Sequence, residues 1–457
     1  MSFKPSPHPE PQAKTSNDVH HELKRTLSVW DLIIYGMIFM VPIAPMAIYG
    51  QVVQTANGMV VLTYFIGLVG MIFTAFSYAR MSEAFPVGGS AYAYVQRGWN
   101  PMVGFMAGWM ILLDYILVPA LLYLVAASWL TQLVPSIPTT VWIVAFVVFN
   151  TAVNFFGVQM TNRANWVMLV IELATFVLFC GAALVYVAGH KDGTSFTLAP
   201  VFQKQGFSLS MVGAATSIAV LSFLGFDGIS TLSEETKGGR KTVGRATIWA
   251  LIFVALLFMI LTYLAAVAYP DFRHFPNANV AFYFIAERVG GTWLKMLSLV
   301  VTVLASGIAN ALAAQAAISR LLFSMGRDRV LPPVLAKIHP KFRTPYVSIL
   351  LVAVVSLIVS SLSSIDALSS LVNFGALTTF MALNISVIIH FFFRKRSGRW
   401  FSHLVMPLLG FAVILYVWIN FSHTTFYFGI GWFVIGLIVL AITTRGFRKS
   451  PKALEIE

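Results

Sequence analysis

Beyond residue 30 the chain is a succession of apolar runs separated by short polar connections. They lie near 31–54, 58–79, 101–130, 139–156, 164–189, 208–233, 246–269, 293–323, 346–363, 367–393, 401–420 and 424–444. An apolar run of about 20 residues is long enough to cross a bilayer as a helix. The pattern therefore predicts an all-α membrane protein with twelve transmembrane helices. The runs near 101–130 and 293–323 are long enough to require tilt or extension past the hydrocarbon. Residues 1–29 are Pro-rich and polar and lack the apolar core and cleavage site of a secretory signal, so they read as a cytoplasmic tail. Residues 446–457 read as a second one.

Composition narrows the class. Of 457 residues, 58% are hydrophobic and only 10% are charged, whereas soluble domains carry about 25% charged residues. A soluble enzyme, a disordered chain and a fibrous protein are excluded. The formal charge of +13 is compatible with nucleic-acid binding or with a basic cytoplasmic face. Its distribution decides between them. Every second connection is basic: Arg80 and Arg97; Arg163; Lys237, Arg240, Lys241 and Arg245; Arg327 to Arg343; Arg394 to Arg399. The connections near 131–138, 364–366 and 421–424 carry no Lys or Arg. The longer outer loops, 190–207 and 270–292, carry charges of both signs, including Asp192, Asp271 and Glu287. With Lys24 and Arg25 before the first span and Arg445, Arg448 and Lys449 after the last, both termini are expected in the cytoplasm. No aromatic-interleaved basic stripe calls for nucleic acid. The single cysteine, Cys180, excludes an intramolecular disulfide.

Two spans carry breaks. The first, IIYGMIFMVPIAPMAIYG, holds Pro42 and Pro45 in mid-segment, and the sixth, AVLSFLGFDGISTLSEET, holds Gly225 and Gly228 around Asp227. Pro and Gly also produce simple kinks in membrane helices. The matched spacing five spans apart and the adjacent acid favour an inverted 5+5 repeat with substrate held between the unwound stretches. Three carboxylates lie inside spans: Asp114 in the third, Glu172 in the fifth and Asp227 at the sixth-span break. No Lys or Arg lies deep in a span beside them, Arg320 being near the inner end of the eighth. Buried carboxylates without cations attract cations and carry protons; the competing reading is that Asp114 and Asp227 only accept hydrogen bonds from freed backbone or hydroxyl groups. Asp31, Glu234 and Glu235, near span ends, suggest solvated or gate-forming salt bridges.

The stretches GGSAYAYVQRGWNPMVGFMAGW (88–109), SFLGFDGISTLSEETK (222–237) and SRLLFSMGRDRVLPPVLAKIHPKFRTP (319–345) resemble the amino acid–polyamine–organocation permeases. Within that family, LLDY followed by Pro119, the SFLGFDG and LSEET run and NFGAL (373–377) are most similar to bacterial putrescine importers. The resemblance implies a LeuT-type fold. Its first repeat would occupy residues 30–190, its second 208–393, and two C-terminal helices 400–445. It further implies a mid-membrane site between spans one and six with help from three, eight and ten, and transport driven by protons or exchange, in a bacterial inner membrane.

Carried over to this sequence, the sixth-span site corresponds to Phe223, Gly225, Phe226 and Asp227, with an aromatic placed to close over the substrate; the first-span site corresponds to Met40 through Pro45, including Val41, Ile43 and Ala44. Asp114 and Tyr115 are the third-span candidates. The first-span stretch departs from amino acid carriers, whose Gly-Ser-Gly type sequence offers free amides to a carboxylate. Pro42 and Pro45 have no N–H, and Val41 and Ile43 are bulky. An organic cation has no carboxylate to satisfy and can take charge-assisted hydrogen bonds from acidic side chains. Many proton-linked relatives carry Lys in the fifth span; spacing from Asn165 puts Glu172 at about that position. Glu172 there either carries a proton alternately from each side or caps a polar network, and Ser306 either adds a hydroxyl to the same region or serves packing.

Weaker signals add little. His20–His21 have no further ligands at metal spacing. GGRKT (238–242) lacks P-loop spacing, so neither a cofactor nor direct ATP coupling is indicated. Trp109, Tyr115 and Tyr123 are candidates to line the pathway. A channel would need filter loops or charge rings, and a membrane enzyme clustered catalytic groups. The expectation is a secondary importer for a small putrescine-like amine, coupled to protons, with neutral or cationic amino acids as the alternative substrates. The sequence leaves the oligomeric state open.

Overall fold

The computed structural model describes residues 27–85, 90–157, 162–237, 241–327 and 331–448. Lys24, Arg25, His20–His21, Arg240, Arg329 and Lys449 lie outside the described residues, as do the side chains of Arg163, Glu234 and Glu235. In chain order the helices are α1 (Val29–Met40), α2 (Pro45–Thr55), α3 (Val60–Ala84), α4 (Ser90–Gly98), α5 (Pro101–Leu133), α6 (Thr139–Phe156), α7 (Asn162–Ala188) and α8 (Leu209–Ala219). They continue as α9 (Lys241–Ala268), α10 (Ala281–Gly290), α11 (Thr292–Val303), α12 (Ala311–Arg327), α13 (Tyr346–Leu362), α14 (Ile365–Val387), α15 (Met406–Trp418) and α16 (His423–Thr443). Ten helices among the described residues are long and apolar enough to cross a membrane. The pair α1 and α2, bent by 61°, makes an eleventh, and α13 is a shorter apolar helix of 17 residues. The chain is a multi-pass membrane protein. Apolar side chains on the outside of the bundle, such as Val148, Val177 and Ile438, suit contact with lipid. Two short helices, α4 and α10, escaped the hydropathy pattern because they are too brief and too polar to register as spans.

The first break follows from proline chemistry. Val41 N–H makes the last helical bond of α1, to Met37 O at 3.0 Å. Pro42 has no amide to offer the next carbonyl, and the chain turns, with Ala44 N–H donating to Val41 O at 2.8 Å. Pro45 then occupies the first turn of α2, where its missing N–H costs nothing. Val41 is forced to φ 55°, ψ 99°, a conformation a β-branched residue adopts at a cost of about 1–3 kcal/mol.

The second break is built from glycine. α8 passes into a 3-10 turn at Val220–Phe223, Leu224 is extended, and Gly225 takes φ 107° before a further 3-10 stretch, Phe226–Glu235. A Cβ on Gly225 would lie 2.6 Å from Phe39 Cδ1 and 3.1 Å from Phe39 O, so the end of α1 rests directly on this glycine. The two broken elements also join at one end, where Lys237 N–H donates to Leu27 O at 2.8 Å.

Small residues and buried amides hold the neighbouring helices close, as expected where no hydrophobic drive separates protein from lipid. Gly244 lets α9 approach Ala79 on α3, and Gly375 brings α14 against the α5 backbone at Met110 and Asp114. Asn373 Nδ2 donates to Ser217 O at 2.7 Å, satisfying a carbonyl in the last turn of α8. The NFGAL motif therefore acts by packing two site-bearing elements. Trp109 and Trp432 exchange indole N–H bonds to each other's carbonyls at 2.9 Å, tying α5 to α16.

Candidate functional site

The breaks, α5 and the α11–α12 segment enclose a cavity of about 130 Å³. Its walls take Met40, Val41 and Ala44 from the first break, Leu224, Gly225 and Asp227 from the second, and Asp114 and Tyr115 from α5. Among the described residues no Lys, Arg or His lines it.

Both carboxylates are buried, and they lie close enough for their charges to interact. Tyr115 Oη donates to Asp227 Oδ2 at 3.3 Å. Backbone amides at Gly225 and Asp227 lie against the Asp227 carboxylate, and Gly228 N–H donates to Gly225 O at 3.0 Å. Asp227 is therefore held in place by the unwound backbone itself. The Asp114 carboxylate accepts no hydrogen bond from the described residues, which leaves its acceptor capacity facing the cavity. Two neighbouring carboxylates with no cationic side chain form a site for a positively charged guest or for protons.

Several sequence-predicted residues lie elsewhere. Ile43 is wholly buried in the core beside the break. Phe223 points away from the cavity, with ring centroids 6.1 Å from Tyr64 and 5.3 Å from Phe258, and it fills the notch at Gly67. Phe226 packs between Tyr78 and Phe380 at 5.7 and 5.4 Å. Neither phenylalanine closes over the cavity; the 3-10 geometry turns both toward neighbouring helices. Of the three α5 aromatics, only Tyr115 lines it, since Trp109 is committed to Trp432 and Tyr123 is core.

Of Glu172 and Ser306, only Ser306 lines the cavity. Its hydroxyl donates to Thr302 O at 2.6 Å. Glu172 lies off the cavity on α7, buried, with Oε2 lacking any hydrogen-bond partner. Among the described residues Asp31 forms no salt bridge. It closes a capping box with Ser28, accepting from Ser28 N–H at 2.8 Å and Ser28 Oγ at 2.7 Å. The charges between α7 and α11 are paired instead, Arg288 with Asp192 at 2.8 Å and Lys295 with Glu287 at 2.7 Å.

Other lining residues went unrecognised in the sequence. Val118, Leu121, Leu122 and Val125 continue the face of Asp114 at helical spacing, so extending that face by three- and four-residue steps would have found them. Thr302, Asn310 and Ala314 do the same around Ser306 on the facing wall. Among the described residues no three His, Cys, Asp or Glu side chains come together as a metal site.

The comparisons with known proteins agree with a carrier. A family model described as amino acid permease matches residues 27–451. The chain is 34% identical over 450 residues to the low-affinity putrescine importer PlaP of Escherichia coli (strain K12), covering 96% of this chain and 98% of that one. It is 25% identical over 457 residues to the branched-chain amino acid permease BcaP of Bacillus subtilis (strain 168), covering 93% and 94%. It is 25% identical over 433 residues to the cationic amino acid transporter 5 of Arabidopsis thaliana, covering 90% and 72%. All three relatives are named as transporters or permeases and none as an enzyme. By the extent of these matches and the helical membrane architecture, the chain belongs to the amino acid permease family of membrane transporters.

Proposed function

We propose that the protein is a secondary active importer of a small putrescine-like amine, driven by protons, in a bacterial-type inner membrane with both termini in the cytoplasm. Its architecture is read as twelve spans in a LeuT-type arrangement, with α1–α2 and the segment from α8 through residues 226–235 as the two discontinuous members. The observation that carries the substrate reading is the Asp114–Asp227 pair facing a cavity that, among the described residues, no cationic side chain lines. Size agrees. An apolar cavity of about 150 Å³ holds benzene, a molecule of six heavy atoms, and putrescine also has six.

An amino acid is less well served. The amides of Val41, Ala44 and Met46 at the first break are spent on Met37 O, Val41 O and Ile43 O, and Pro42 and Pro45 have none. A substrate carboxylate would meet few donors there and two acids nearby. The amino acid permeases among the relatives keep this second reading open to test. For coupling, the unpaired buried Glu172 is the candidate proton carrier, acting from α7 beside the transport path.

Reconstitution into liposomes tests the proposal. Labelled putrescine, monoamines, leucine and lysine are offered with and without an acid-outside pH gradient. Saturable putrescine uptake, raised by the gradient, is the expected result. Uptake confined to amino acids would overturn the amine reading, and uptake indifferent to the gradient would overturn proton coupling.

A further inference from the structure

Between α11 and α12 the helix widens into a π-helical stretch, Leu304–Asn310. Such turns are rare and gather at functional sites. This one is held from behind by a polar stripe on α6. The fully buried Asn150 donates through Nδ2 to Gly307 O at 2.8 Å, and Asn154 Nδ2 donates to Leu312 O at 3.2 Å and to Gln315 Oε1 at 2.9 Å. Gly307 packs against Ala126 and Phe146, so the bulge is clamped on its far side. Thr302, Ser306 and Asn310 face the cavity from the near side.

These three groups are neutral, and their hydrogen-bonding capacities differ. Thr302 Oγ1 and Ser306 Oγ spend their protons on helix carbonyls at 2.7 and 2.6 Å, which leaves only acceptor lone pairs. The Asn310 amide has no partner among the described residues and keeps two donors and one acceptor for a guest. The negative charge of the cavity sits on different elements, α5 and the stretch after Gly225. Much of the remaining wall is aliphatic, including Val118, Leu121, Leu122, Leu221 and Leu224.

We infer that Asn310 is a specificity-determining residue: the site reads its substrate asymmetrically, one ammonium on the Asp114–Asp227 pair and the far end by neutral hydrogen bonds on the π-helical wall. The inference rests on the amine reading above and refines it. The preferred guest is a four-carbon amine whose second end can hydrogen-bond, and a second positive charge is not what the far wall selects.

Three compounds of equal chain length separate the possibilities in proteoliposomes: putrescine, 4-aminobutan-1-ol and butylamine. In the wild type, 4-aminobutan-1-ol is expected within about threefold of putrescine in KM, and butylamine about tenfold weaker, the worth of about 1.4 kcal/mol. Asn310→Ala is expected to raise KM about tenfold for the first two and leave butylamine unchanged, so that butylamine uptake also reports that the variant folds. Asn310→Asp, nearly isosteric, is expected to favour putrescine over 4-aminobutan-1-ol. The inference is overturned if the wild type handles 4-aminobutan-1-ol as poorly as butylamine, or if Asn310→Ala affects all three compounds equally or none. Wild-type protein that takes up none of the three would overturn the amine reading itself, and this inference with it.

Discussion

At the break between α1 and α2, two prolines withhold amides, and the N–H groups of Val41, Ala44 and Met46 close on nearby carbonyls. At the break after α8, Gly225 takes a left-handed conformation, and the amides at Gly225 and Asp227 lie against the Asp227 carboxylate. The first break is thus electrostatically quiet and contributes apolar wall, Met40, Val41 and Ala44. The second carries the charge and the donors that orient it. They press on each other through Phe39 and Gly225. The lesson is that two discontinuities of similar position do different work, and the difference follows from whether the residue that breaks the helix removes backbone donors or frees them.

Variants at each break sharpen that contrast. The largest effect is expected for Asp227→Asn, which removes the charge but preserves shape; putrescine uptake should fall about a hundredfold, as for loss of hydrogen bonds to a charged group, with membrane insertion intact. Near-normal uptake by that variant would refute the charge-bearing role of the second break. Next is Gly225→Val. The left-handed φ of 107° and the contact with Phe39 leave no room for a side chain, so uptake should drop at least tenfold; a variant as active as the wild type would show that the glycine is dispensable.

Glu172→Gln tests whether coupling resides off both breaks. Here the stimulation by an acid-outside gradient should disappear, a several-fold loss, while putrescine exchange at zero gradient persists. Retained stimulation would remove Glu172 from the coupling step. The smallest effect belongs to Val41→Gly. Relief of about 1–3 kcal/mol of backbone strain is opposed by the entropy of glycine and lost side-chain contact. Uptake should stay within about threefold of wild type, in contrast to Gly225→Val. A loss as deep as that of the second-break variant would erase the distinction between the two breaks.

Much of this molecule was legible in the sequence because membrane physics writes itself along the chain. The need to satisfy every backbone group in lipid turns apolar runs into helices, and Pro42, Pro45, Gly225 and Gly228 mark where helices cannot continue. The cost of burying charge singles out Asp114, Asp227 and Glu172 without any structure.

Rotation about the helix axes was not legible, because an apolar helix shows little amphipathic contrast when both lipid and core are apolar. Phe223 and Phe226 flank Gly225 in the sequence, yet only the 3-10 turns decide that they pack on Tyr64, Phe258, Tyr78 and Phe380. Glu172 and Ser306 are both polar marks in apolar runs, and only packing decides that Ser306 lines the cavity and Glu172 does not. LASGIAN reads as ordinary helix; in its π-helical widening Gly307 O accepts from Asn150, 157 residues away along the chain. Local chemistry fixed where the chain crosses the membrane and where it breaks. Contacts between distant helices decided which side chains share the cavity, since a helix surrounded by hydrocarbon can turn about its axis until a neighbour's shape and hydrogen bonds hold it.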